Sequence, residues 1–246
     1  MSRFWRGICI WSGLGLAALV GCGEEVDRDP ALERLREEAE PLRQALEEQP
    51  EAPGLHFQLG QVFLKHGLKD SARVAFERSV ALLPGFADAH FQLAQLYYDE
   101  GRVQESLAAY RQTVSLRPDH VHALNNLGFI YKKLGEMESA EEFYRQAIEQ
   151  DPKFFQAYNN LGQIYKQQER FDAAQELYRR AIALSPDFAE AYVNLAKLYQ
   201  LQEQLTQERE VLQAYLEQFG STSEYSLDVR TRFDQLASSA APPALE

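Results

Sequence analysis

Carboxamide side chains recur along this chain at a fixed interval. Asn126, Asn160 and Asn194 lie 34 residues apart, and Gln58 and Gln92 hold the same place earlier. An asparagine amide carries two N–H donors and a carbonyl acceptor, which match the needs of an extended peptide backbone. A row of them can hold a chain without reading its side chains. Asn125, Asn159 and Gln163 place further amides beside the row, Phe129 adds an aromatic surface, and Lys132, Lys166 and Lys197 add positive charge to the same region of an acidic chain. Cations there favour a protein or peptide ligand that is acidic or ends in a free carboxylate. The expected peptide-binding residues are therefore Asn125, Asn126, Phe129, Lys132, Asn159, Asn160, Gln163, Lys166, Asn194 and Lys197.

Other chemistry is sparse. Of five histidines (His56, His66, His90, His120, His122), only His120 and His122 are close, and their i, i+2 spacing points them to different sides of a helix. The two cysteines, Cys9 and Cys22, both lie near the amino terminus, so no cysteine cluster can bind zinc. No phosphate-cradling glycine loop or nucleophile elbow is present. No catalytic residue, metal, cofactor or small-molecule substrate is expected; a metal-dependent enzyme is the weakest alternative. With 25 Lys and Arg against 37 Asp and Glu, the net charge is −12, which repels phosphate backbones and argues against nucleic acid as a partner.

The elements that must position the amides are written as a period. Pro50, Pro84, Pro118, Pro152 and Pro186 are each separated by 34 residues. Leu59, Leu93, Leu127, Leu161 and Leu195 keep that register, each followed by a small residue (Gly60, Ala94, Gly128, Gly162, Ala196) and, four residues on, by an aromatic (Phe63, Tyr97, Tyr131, Tyr165, Tyr199). A second small column, Ala72, Ser106, Ala140 and Ala174, precedes Phe76, Tyr110, Tyr144 and Tyr178 by four. Leu124, Leu127, Gly128 and Tyr131 fall on one helical face. Gly128 and Ala140 let two antiparallel helices approach, with Tyr131 and Tyr144 filling the space around them. Gly67, Gly101 and Gly135 suit left-handed helix ends, and Glu169 in the same column costs about 1 kcal/mol if the backbone is kept.

From about residue 53 to 202 these columns resemble the tetratricopeptide repeat, whose period is 34 residues. The resemblance implies an all-α fold, an α-α superhelix (solenoid) of about five helical hairpins with capping helices, whose first helices line the concave side. Units are expected at 53–86, 87–120, 121–154 and 155–188, with a degenerate fifth at 189–222, where Glu208, Tyr215 and Gly220 replace the usual residues. The face opposite the core then carries the amide row, with Glu190 and Val193 joining it in the fifth unit. The Asn-Asn-Leu-Gly runs at 125–128 and 159–162 resemble repeats of the O-GlcNAc transferase family, which implies an asparagine ladder on peptide backbone. Tetratricopeptide domains that clamp chaperone C-termini use a lysine and an asparagine where this chain has Phe57 and Gln61, so that activity is not implied. An N-terminal capping segment is expected at 30–52, kinked or split at Pro41. A C-terminal capping helix is expected at 223–237, with Ser221 and Glu224 as a capping box, then a disordered tail at 238–246.

The amino terminus reads as an address. Arg3 and Arg6 precede 13 uncharged residues, Ile8 to Val20, too few to span a bilayer as a helix. The following Leu19-Val20-Gly21-Cys22 resembles the lipobox of bacterial lipoproteins. That resemblance implies removal of residues 1–21, lipidation (palmitate-type acylation) at Cys22, an acidic spacer at 22–29, and anchoring in the bacterial cell envelope. Gly23, not Asp, after the cysteine implies the periplasmic face of the outer membrane if the organism is Gram-negative. Tetratricopeptide lipoproteins include pilotins and envelope adaptors. The combination therefore implies a membrane-tethered, non-enzymatic scaffold for protein–protein interaction; the alternative is a structural subunit that uses its convex face or ends.

Overall fold

A computed structural model describes residues 30–239, and these hold twelve α-helices: α1 (Pro30–Glu48), α2 (Pro53–Lys65), α3 (Lys69–Leu82), α4 (Ala87–Asp99), α5 (Val103–Leu116), α6 (Val121–Leu134), α7 (Met137–Gln150), α8 (Phe155–Gln167), α9 (Phe171–Leu184), α10 (Ala189–Leu201), α11 (Leu205–Phe219) and α12 (Ser226–Ser239). The lipobox, Cys22 and the acidic spacer lie outside the described residues. Helices α2 to α11 pair as five consecutive hairpins, and each second helix also packs on the first helix of the next pair. The result is an all-α superhelix whose units bury their apolar faces on one another.

The repeat columns explain how the hairpins close. An added Cβ on Gly128 would stand 2.7 Å from the Tyr144 ring. The glycine is thus needed to seat an aromatic ring from the second helix, more than to bring two backbones together. Tyr144, Tyr178 and Phe76 are fully buried in this way. The turns between paired helices pass through a left-handed residue: Gly67 (φ +74°), Gly101 (φ +74°) and Gly135 (φ +81°). Glu169 and Glu203 adopt the same conformation at φ +58° and +57°, so the turn geometry outweighs the Cβ penalty.

The periodic prolines sit in the connections between helices, where four of the five (Pro50, Pro84, Pro152 and Pro186) lend their carbonyls to a side chain six positions on. His56 Nε2 and His90 Nε2 lie 2.9 Å from the Pro50 and Pro84 carbonyls. The Tyr158 and Tyr192 hydroxyls donate to those of Pro152 and Pro186 at 3.1 and 3.3 Å. Two of the histidines are therefore loop latches. His120 caps α6, accepting from the Ala123 N–H at 3.2 Å, and His122 meets the Phe154 ring edge-on at 5.0 Å. Among the described residues no group of His, Cys, Asp and Glu could hold a metal.

Three expectations for the ends need correction. Pro41 neither splits α1 nor ends it: the helix runs continuously from Pro30 to Glu48. Pro41 is exposed, so the carbonyl it deprives of a partner faces water. The Lys65–Glu38 ion pair (2.7 Å) and buried Ala39 then seat α1 on the first hairpin. The helix expected at 223–237 begins at Ser226 and runs through Ser238 to Ser239, so residues 238 and 239 are helical and not tail. Ser221 and Glu224 form no capping box; the Thr222 hydroxyl instead donates to the Phe219 carbonyl at 2.7 Å, holding a turn before the helix. Val229 and Leu236 bury against Tyr192, Leu212 and Tyr215 of the last hairpin. Glu208, in the small-residue column, is only 1 % exposed and accepts two hydrogen bonds from Arg232 of α12, at 2.7 and 2.9 Å.

Candidate functional site

The amides of the first helices mostly bind one another. Asn160 Nδ2 donates to Asn125 Oδ1 at 2.9 Å, and Asn194 Nδ2 donates to Asn159 Oδ1 at 2.9 Å. Each bond joins one unit to the next, linking α6 to α8 and α8 to α10. Asn126 lacks such a partner because Phe91 occupies the column of Asn125 and Asn159. It donates instead to the Tyr110 hydroxyl at 2.9 Å. Burial pushes the Tyr110 phenol up to about 12, so it stays protonated and can accept this bond. The equivalent hydroxyls of Tyr144 and Tyr178 are buried with no partner, because Asn160 and Asn194 are engaged with the preceding unit. Gln58 and Gln92 take no part in the amide ladder.

A carboxylate completes the network. Glu190 Oε1 accepts from Gln163 Nε2 at 2.9 Å and from Asn159 Nδ2 at 3.2 Å, with Asn194 Nδ2 at 3.5 Å. Lys132 Nζ donates to Gln163 Oε1 at 2.6 Å. Lysine, amide and carboxylate thus stitch α6, α8 and α10 along one side. Asn159 is 1 % exposed and cannot reach a partner, which corrects its expected role as a peptide contact. Its two neighbours across the unit boundary engage one of its N–H groups and its carbonyl oxygen.

What remains open to solvent is cationic and aromatic. Lys132 and Lys166 are part-buried, and Lys197 is exposed. Burial holds the Lys132 and Lys166 amines below the ordinary lysine range, and Lys197 adds repulsion at Lys166. Among the described residues, no carboxylate pairs with Lys166 or Lys197. The Phe129 ring packs edge-on to Tyr98 at 5.7 Å, with Lys132 and Lys133 Nζ at 5.7 and 5.5 Å from its centroid. Phe129, Tyr98, Gln95, Asp99, Tyr110, Asn126 and Ile130 line a cleft of about 210 Å³ where α4, α5 and α6 meet.

Nine of the ten expected residues are therefore part of an accessible or part-buried surface, and all six amides also serve as bonds between units, Asn126 through Tyr110 of the preceding hairpin. Sequence reasoning missed the contributions of Gln95, Tyr98 and Tyr110. Tyr98 follows a core tyrosine directly, and that adjacency on an otherwise amphipathic helix was the available signal. Among the described residues, no helix is long and apolar enough to cross a membrane.

Family models described as tetratricopeptide repeat match residues 31–89, 91–153 and 143–176, and one described as TPR repeat matches 162–203. No curated protein sequence matches the chain. Among solved structures, PilF of Pseudomonas aeruginosa is 21% identical with a TM-score of 0.64, covering 78% of this chain and 90% of that one. PilW, described as a widely conserved type IV pilus biogenesis factor, is 21% identical with a TM-score of 0.65, over 76% of this chain and 87% of its own. YrrB, described as a TPR protein with an unusual peptide-binding site, is 16% identical with a TM-score of 0.63, over 78% of this chain and 99% of its own. At these identities the likeness is one of fold.

Proposed function

We propose, from the premise that this chain belongs to the tetratricopeptide repeat family, that it is a non-enzymatic scaffold holding a segment of a protein partner against its first helices. One observation carries the reading: α6, α8 and α10 present, along one side, a partly exposed aromatic, Phe129, and two lysines, Lys166 and Lys197, that pair with no carboxylate among the described residues. Lysines withdrawn from water without a counter-charge are unfavourable, and a partner supplies what they lack. The peptide-binding site ascribed to YrrB supports a peptide ligand for the same fold.

The second half of the proposal is a tether at Cys22 through the lipobox, placing the scaffold on the bacterial envelope, at the periplasmic face of the outer membrane in a Gram-negative cell. PilW, as a pilus biogenesis factor, supports an envelope assembly role of the pilotin or adaptor kind. Two experiments test the halves separately. Labelled palmitate should enter the wild-type protein and not Cys22→Ser; labelling of both would refute the anchor. The wild-type protein should retain an envelope partner that the Phe129→Ala, Lys166→Ala double variant releases; equal retention by both would refute the groove.

A further inference from the structure

We infer that the segment held in the groove combines one apolar side chain with carboxylates about one repeat away. This rests on the groove reading above and specifies its ligand. The apolar position is the cleft at α4, α5 and α6. At about 210 Å³ it falls below the roughly 300–1,000 Å³ of small-molecule pockets, but it accommodates a single side chain. Its walls are the Tyr98 and Phe129 rings. At its floor, the Asn126 amide and the Tyr110 hydroxyl are already bonded to each other. Asp99, at its rim, is paired with Lys69 at 2.5 Å. A polar side chain entering there gives up water and gains little, whereas an aliphatic or aromatic one buries its surface.

The carboxylate position follows along the stack. Lys132, Lys166 and Lys197 stand on α6, α8 and α10, close enough that Lys166 feels Lys197 and Lys132 feels Lys166. Glu190, whose charge acts on Lys132, already accepts from Gln163 and Asn159. In a chain of net charge −12, three clustered cations, two of them part-buried and none ion-paired to a carboxylate among the described residues, fit an acidic segment. First helices of stacked units stand about 10 Å apart, and an extended segment rises about 3.3 Å per residue. The acids therefore begin about three residues from the apolar anchor, in either chain direction.

The test uses the purified chain and four fluorescein-labelled peptides read by anisotropy, each set made in both directions. The parent has one leucine, two glycines and four glutamates; the others replace leucine by serine, the glutamates by glutamines, or both. Leucine to serine should weaken binding about tenfold. Glutamate to glutamine should weaken it about fivefold at low salt and remove the salt dependence. Lys166→Ala with Lys197→Ala should bind the glutamate and glutamine peptides equally, and Phe129→Ala should bind the leucine and serine peptides equally. Circular dichroism confirms that both variants fold. Equal affinities for all four peptides, or no binding of any, overturn the inference. An unbiased peptide array then separates the two readings: a ligand lost in Phe129→Ala leaves the groove standing without this motif, and no groove-dependent ligand removes both.

Discussion

Replacing Asn159 by alanine should damage the fold and not the recognition surface. The side chain is 1 % exposed; it accepts from Asn194 at 2.9 Å and donates to Glu190 at 3.2 Å. The first bond is neutral and contributes about 1 kcal/mol. The second is charge-assisted but long, and Glu190 keeps Gln163 at 2.9 Å, so about 1 kcal/mol is again reasonable. The total, about 2 kcal/mol, corresponds to a fall in Tm of about 4–8 °C for a chain of this size. Lys166→Ala is the control. Its amine pairs with no carboxylate among the described residues and is depressed by burial and by Lys197, so its loss should change stability by less than about 0.5 kcal/mol. Urea unfolding followed by circular dichroism and tyrosine fluorescence gives both values. If Asn159→Ala proves as stable as Lys166→Ala, the claim that buried amides join the units is wrong.

Other consequences follow from individual contacts. Arg232→Ala leaves the Glu208 carboxylate buried without its bidentate partner, and should release α12 at a cost of about 2–3 kcal/mol, discounted because Arg232 is partly exposed; hydrogen exchange should rise in Ser226–Ser239 before the rest of the chain. Glu169→Gly should stabilise the protein by up to about 1 kcal/mol, because the residue already holds φ +58°; a lower midpoint in urea would contradict this. Burial chiefly, and Arg117 next, hold the His120 imidazole below its ordinary range. Its folded-state pKa lies below the unfolded one, so the unfolded chain binds the proton more readily. That contribution is intact above about pH 6.5 and is lost as pH falls through the folded-state pKa. His120→Asn, which can still cap α6, should flatten the pH dependence of the unfolding midpoint in that range.

Much of this fold could be read because each column of the period has one physical job. Leu127, Gly128 and Tyr131 specified a helix face, and Gly135 specified the left-handed turn that Glu169 later reproduces at a strained residue. The ends were harder. Pro41 looks like a breaker in any sequence window, and only its exposure shows that the helix can continue past it. Glu208 looked like decay of a small-residue column until Arg232, 24 residues on, came back to meet it. The amide row was legible as a row, but sequence spacing does not reveal which amides are used internally. That depends on what lies 35 residues earlier: Asn125 for Asn160, Asn159 for Asn194, and Phe91 for Asn126.

The central claim is that a partner lies along the first helices. It is most directly tested by placing a photo-crosslinking residue at position 129, or at exposed position 176 on α9, in cells making the full chain. The account predicts one discrete crosslinked product from position 129 and none from position 176. A partner captured from position 176 with nothing from position 129 would contradict it.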